Sequence, residues 1–136
     1  MKKLGILVTL IFVLLGLSIA QAWAQGELQP MYNGTNAATA TLSISGGTAN
    51  CLGKVKPSGA TQSASISMKL QQKKDGRWTT IATWTGSASN GSTASLSKTK
   101  SVAKGYEYRV YVSGTIKNSD GSAAEKPSKY SSTVSY

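Results

Sequence analysis

The chain has 136 residues and a formal net charge of +10 at pH 7, from 15 basic and 5 acidic residues with no histidine. The acids are Glu27, Asp75, Glu107, Asp120 and Glu125, and two of them, Asp75 and Asp120, precede Gly as tight-turn residues do. This inventory excludes histidine-based nucleophilic catalysis. It leaves no paired carboxylates, no metal-ligand cluster and no Gly-rich phosphate signature, so the chain reads as non-enzymatic, with no metal and no cofactor expected.

In chain order, Lys2 and Lys3 open the sequence, an apolar run reaches Ala20, and Ala22-Trp23-Ala24 supplies a small-x-small pattern. The pattern predicts a secretory signal peptide over residues 1–24, cleaved before Gln25, and therefore a secreted protein with no membrane span after cleavage. The alternative is a retained anchor, since about 20 apolar residues can cross a bilayer. Cleavage leaves thirteen basic against five acidic residues, a formal charge of +8, which draws a small protein toward anionic polymers. Residues 25–37 lack periodicity and read as a flexible leader to a domain over 38–136.

Strand signals begin at Ala38. Ala38, Ala40, Leu42 and Ile44 alternate with Thr39, Thr41, Ser43 and Ser45, the period of a half-buried strand. After Gly46-Gly47, a second run sets Ala49, Cys51, Gly53 and Val55 inward. The third, "SASISMKLQQKK", sets Ala64, Ile66, Met68 and Leu70 inward and Lys69, Gln71 and Lys73 outward. "KDGR" predicts a hairpin into "WTTIATW", where Trp78, Ile81 and Trp84 are three apart, so either a bulge lies between them or one faces out. Residues 86–92 read as a loop, and Ala94, Leu96 and Val102 as a fifth strand. In "KGYEYRVYVSGTI", Tyr106, Tyr108, Val110 and Val112 take the inward side against Glu107, Arg109 and Tyr111. A polar loop and a last strand, "YSSTVSY", with Tyr130 and Val134 as its apolar residues, complete seven strands. Seven short strands without an amphipathic helix predict an all-β sandwich or barrel.

"SVAKGYEYRVYV" resembles the E–F corner of fibronectin type III and related immunoglobulin-like sandwiches, with Val102, Gly105, Tyr108, Val110 and Val112 in the matching positions and Lys104 where a Pro is usual. The chain from "LSISGGTANCLGKV" onward is also similar to a group of small secreted Gram-positive bacterial proteins that share this Ser/Thr-rich pattern. The resemblance implies a seven-stranded immunoglobulin-like (fibronectin type III-like) β-sandwich in which Tyr108 is the corner tyrosine, its hydroxyl bonded to upstream backbone. It places Cys51 on strand B, with Val110 or a neighbour where a disulfide partner would stand. Cys51 also has no His to act as its base, and its inward parity predicts a small buried thiol, with interchain pairing as the alternative.

The same resemblance makes the third and sixth strands neighbours, so that Lys69, Gln71, Lys73, Arg109 and Tyr111 share one exposed face. The expectation is a secreted binding module that contacts an anionic wall polymer, glycan or other extracellular polymer through that face; nucleic acid is not the expected partner. The alternative is a structural or adhesive protein that docks on a protein partner by an edge strand or by loops 86–92 and 117–129, with whichever of Trp78 and Trp84 is exposed as its anchor.

Overall fold

The computed structural model describes residues 37–136, so the expected signal peptide, its cleavage site and all but the last residue of the expected leader lie outside the described residues. Among the described residues there is no helix, and hence none long and apolar enough to cross a membrane. The strands are β1 (Ala38–Ser45), β2 (Thr48–Val55), β3 (Ser63–Lys74), β4 (Arg77–Ala88), β5 (Ala94–Ser101), β6 (Glu107–Lys117), β7 (Ala123–Glu125), β8 (Ser128–Tyr130) and β9 (Val134–Ser135).

All pairings are antiparallel and form two sheets. One has the order β1-β2-β5; the other runs β4-β3-β6, with β7, β8 and β9 all paired to β6. Their apolar faces meet in a sandwich. The period-two alternation of β2, β3 and β6 supplies the core: Cys51, Val55, Met68, Leu70, Tyr108, Val110 and Val112 are all at most 1% exposed. Burying an aliphatic side chain of this size contributes about 1.5–3 kcal/mol, so these few positions supply much of the driving force. At Gly53 the sheets touch: a Cβ there would stand 2.7 Å from Val112 Cγ2 and 3.0 Å from Met68 Sδ, so only glycine fits this crossing.

The β3–β4 hairpin closes through Asp75 (φ 53°) and Gly76 (φ 76°). Two successive positive φ angles make the turn whose twist matches that of the flanking strands. The irregular spacing of β4 resolves as a bulge. Leu70 faces Ala82 and Gln71 faces Thr80, leaving Ile81 as the extra residue. The shift sends Trp78, opposite Lys73, to the outer face, and Trp84, opposite the buried Met68, to the inner one.

The structure has nine strands where the sequence predicts seven. β4 runs on to Ala88, through part of the expected 86–92 loop, because Gly86, Ser87 and Ala88 continue the ladder against Ile66, Ser65 and Ala64. β7 lies within the expected polar loop, and the expected last strand is broken. β7, β8 and β9 follow one another along a single edge of β6, interrupted at Pro127, which has no N–H to donate, and at Ser131. At the second break a side chain substitutes for the ladder: the Val110 N–H donates to Ser131 Oγ (2.8 Å), while the Ser131 N–H donates to the Val110 carbonyl (2.8 Å). Tyr130 is 49% exposed on the outer face and is not a core residue of that strand.

Candidate binding face on the outer side of β3 and β6

The face is built by register. Lys69 stands opposite Tyr111, Gln71 opposite Arg109, and Lys73 opposite Glu107. All five predicted face residues are thus on one surface. Each is half-buried, because β4 flanks β3 and the broken strand flanks β6.

Arg109 is held by three side chains. Its Cζ lies 4.1 Å from the Trp78 ring centroid and 4.2 Å from that of Tyr130, so the guanidinium sits between an indole from β4 and a phenol from β8. Its Nε donates to Gln71 Oε1 at 2.8 Å. Tyr130 in turn stacks on Tyr111, with centroids 4.5 Å apart. Planar, weakly hydrated guanidinium suits such stacking, whereas a lysine ammonium does not. Stacking and the Gln71 bond use the faces and Nε of the group and leave its terminal N–H fork to hold an anion.

The other charges differ in freedom. Lys73 Nζ lies 3.5 Å from Glu107 Oε2 in a pair whose side chains are 40% and 45% exposed. Such a pair contributes little, and it leaves Lys73 also 6.0 Å from the Trp78 centroid. Lys69, beside Tyr111, has no ion-pair partner among the described residues. Beyond Lys73 the face runs into an open groove lined by Gly105, Tyr106, Glu107, Ser135 and Tyr136. Lys104 Nζ stands 5.7 Å from the Tyr136 ring there.

Trp78 was one of two aromatic candidates in the sequence. Tyr130 reads in the sequence only as an apolar residue of the last strand, because the broken strand hides its parity. The signal that could have placed it is Pro127, which announces an edge strand with reset phase.

Tyr108 underlies this face on the core side. It is fully buried, and its hydroxyl donates to the Ala103 carbonyl at 2.6 Å and accepts from Gln72 Nε2 at 3.0 Å. Cys51 is a free, buried thiol on β2, and burial pushes its pKa up to about 11. Such a thiol stays protonated and unreactive at neutral pH. Among the described residues no three His, Cys, Asp or Glu side chains come together as a metal site would require.

No protein-family model and no curated protein matches the sequence. Among solved structures, the chain is similar to a "putative beta-galactosidase" from Bacteroides fragilis, at TM-score 0.41 and 16% sequence identity. The match covers 69% of this chain and 15% of that one.

Proposed function

We propose that the protein is a secreted, non-enzymatic binding module of fibronectin type III-like architecture that holds an anionic extracellular or cell-wall polymer on the outer face of β3 and β6. The observation that carries this reading is Arg109, clamped between Trp78 and Tyr130 with its terminal N–H fork uncommitted. A preorganised guanidinium loses little side-chain entropy when a carboxylate or phosphate docks. Lys69 and Lys73 stand on the same side of β3, four residues apart with Gln71 between them and Arg109 opposite Gln71, so repeated negative charges can engage the three cations along the face. The finer fold assignment is supported by the three-plus-four strand order, counting β7–β9 as one broken strand, and by the Tyr108–Ala103 bond five residues upstream. Secretion is supported by the tripartite pattern of residues 1–24.

The test is affinity electrophoresis through gels containing polygalacturonate or polyphosphate. Wild-type protein is expected to be retarded, and Lys69→Glu with Arg109→Gln to migrate freely, while Lys54→Glu with Lys56→Glu on the opposite sheet keeps most of the retardation. Equal loss in both double variants would mean that net charge alone acts and the face is not a site.

A further inference from the structure

The sandwich has sheet edges of very different character. The β7–β9 edge is cut into three pieces around Pro127 and Ser131, and β1 packs beside it against β6, β8 and β9, closing that side. β5 ends one sheet, but Lys98 and Lys100, both exposed, share the side of the buried Cys51 and Ala49, so two charges stand on the inner side of that edge. Interruptions, proline and inward charges are the devices that blunt sheet edges. β4 lacks proline and interruptions. It is twelve residues long and, among the described residues, pairs only with β3, and no charged residue lies between Arg77 and Lys98. Its one protection is the bulge at Ile81, which leaves Ala82–Ala88 regular.

What lies beside this edge defines what can add to it. The five-residue connection 89–93 makes β5 return alongside β4, and a Cβ on Gly86 would stand 3.2 Å from Leu96 Cδ2. Lys98 and Lys100 follow Leu96 on the same side of β5, and Trp84 and Ala82 precede Gly86 on the inner side of β4. Ile81, Trp84 and Leu96 are only partly buried against the core. The mouth between β4 and β5 is therefore a half-exposed apolar seam beside two ammonium groups that have no ion-pair partner among the described residues, with backbone donors and acceptors on one side that no described strand pairs.

We propose that this edge receives an extended acidic segment of a partner protein, added as a further strand beside β4. Main-chain hydrogen bonds hold such a strand, and alternate side chains give specificity. One set of its side chains faces the mouth, where apolar groups cover Trp84 and Leu96 and carboxylates meet Lys98 and Lys100. A second copy of this chain fits less well, because it would bring the Lys98 and Lys100 pairs of two basic molecules together across the edge. The inference stands apart from the proposed polymer face.

The probe is a capped, fluorescent ten-residue peptide that carries Val and then Glu at the alternate positions of one face, with Thr between them, followed by anisotropy and by amide hydrogen exchange. The peptide is expected to bind and to slow exchange in Ala82–Ala88. Lys98→Glu with Lys100→Glu should weaken it at least tenfold and make the Lys/Val counterpart the better ligand; Arg109→Gln should leave both unchanged. N-methylation of alternate peptide bonds should abolish binding. Failure to bind, or equal loss on reversing Lys69, would overturn the proposal. So would slowed β4 exchange that rises with protein concentration in the absence of peptide, which would assign the edge to a second copy.

Discussion

Arg109 and Trp78, from strands separated by β3, are in direct contact, with the guanidinium carbon 4.1 Å from the indole centroid. The contact ties β4 to β6 across the sheet, and Tyr130 on the other face of the guanidinium extends the tie to β8. The proposed polymer face and the stability of the sheet therefore share one residue. Arg109→Lys keeps the charge but loses the planar stack and the Nε bond to Gln71. The expected cost is about 1–2 kcal/mol in urea unfolding, the range of a partly desolvated cation–π contact. A double-mutant cycle with Trp78→Leu should show coupling of about 0.5–1 kcal/mol; additive effects would mean that the stack is incidental.

Tyr108 offers a cleaner measurement, because removing its hydroxyl leaves the packing intact. Tyr108→Phe deletes one bond to the Ala103 carbonyl and one from Gln72. It should cost about 0.5–1.5 kcal/mol per hydrogen bond lost. Tyr106, partly buried and packed edge-on to Tyr108 at 6.5 Å, has no such bond among the described residues, and Tyr106→Phe should be near neutral. Urea melts of the two variants at one pH make the comparison.

Much of this was legible in residue parity. β2, β3 and β6 alternate cleanly because each buries one face, so the positions of Cys51, Met68, Lys69, Arg109 and Tyr111 follow from a period of two. Parity fails where the ladder does. The bulge at Ile81 decides which tryptophan faces out, and the sequence leaves both options open. The broken β7–β9 edge carries too few residues per piece to show a period, which is why the sequence leaves open the side that Tyr130 takes and does not show the Arg109 clamp. The Lys98 and Lys100 positions depend on how two edges meet in space, which no local pattern encodes.

Cys51 gives a pH dependence with a defined sign. Burial raises the thiol from its ordinary value of 9.0 to about 11 in the folded protein. The folded state binds its proton more tightly, so this contribution is complete below about pH 9 and is lost as pH rises toward 11. At full loss it amounts to about 2–3 kcal/mol. Wild-type stability should therefore fall toward that of Cys51→Ala between these pH values, and a thiol reagent should label native protein only slowly at pH 8. Parallel pH profiles for the two proteins would contradict this assignment.

Gly53 tests the sheet-to-sheet crossing. Gly53→Ala places a methyl group against Val112 and Met68, both fully buried. Overpacking of this kind costs about 1–3 kcal/mol. Met68→Ala in the same background makes room at the Sδ contact, so the double variant should lose less stability than the sum of the two single losses. Thermal or urea unfolding reads the difference.

The central claim, that the β3/β6 face grips an anionic polymer through the clamped Arg109, is tested most directly by NMR titration of labelled protein with short polygalacturonate fragments at low salt, repeated at higher salt. The account predicts saturable shifts at the Arg109 Nε–H, the Trp78 indole N–H and the amides around Lys69 and Lys73, fading as salt screens the charges over about 8–10 Å. Small, unsaturable shifts spread alike over Lys54, Lys56, Lys98 and Lys100 would contradict it.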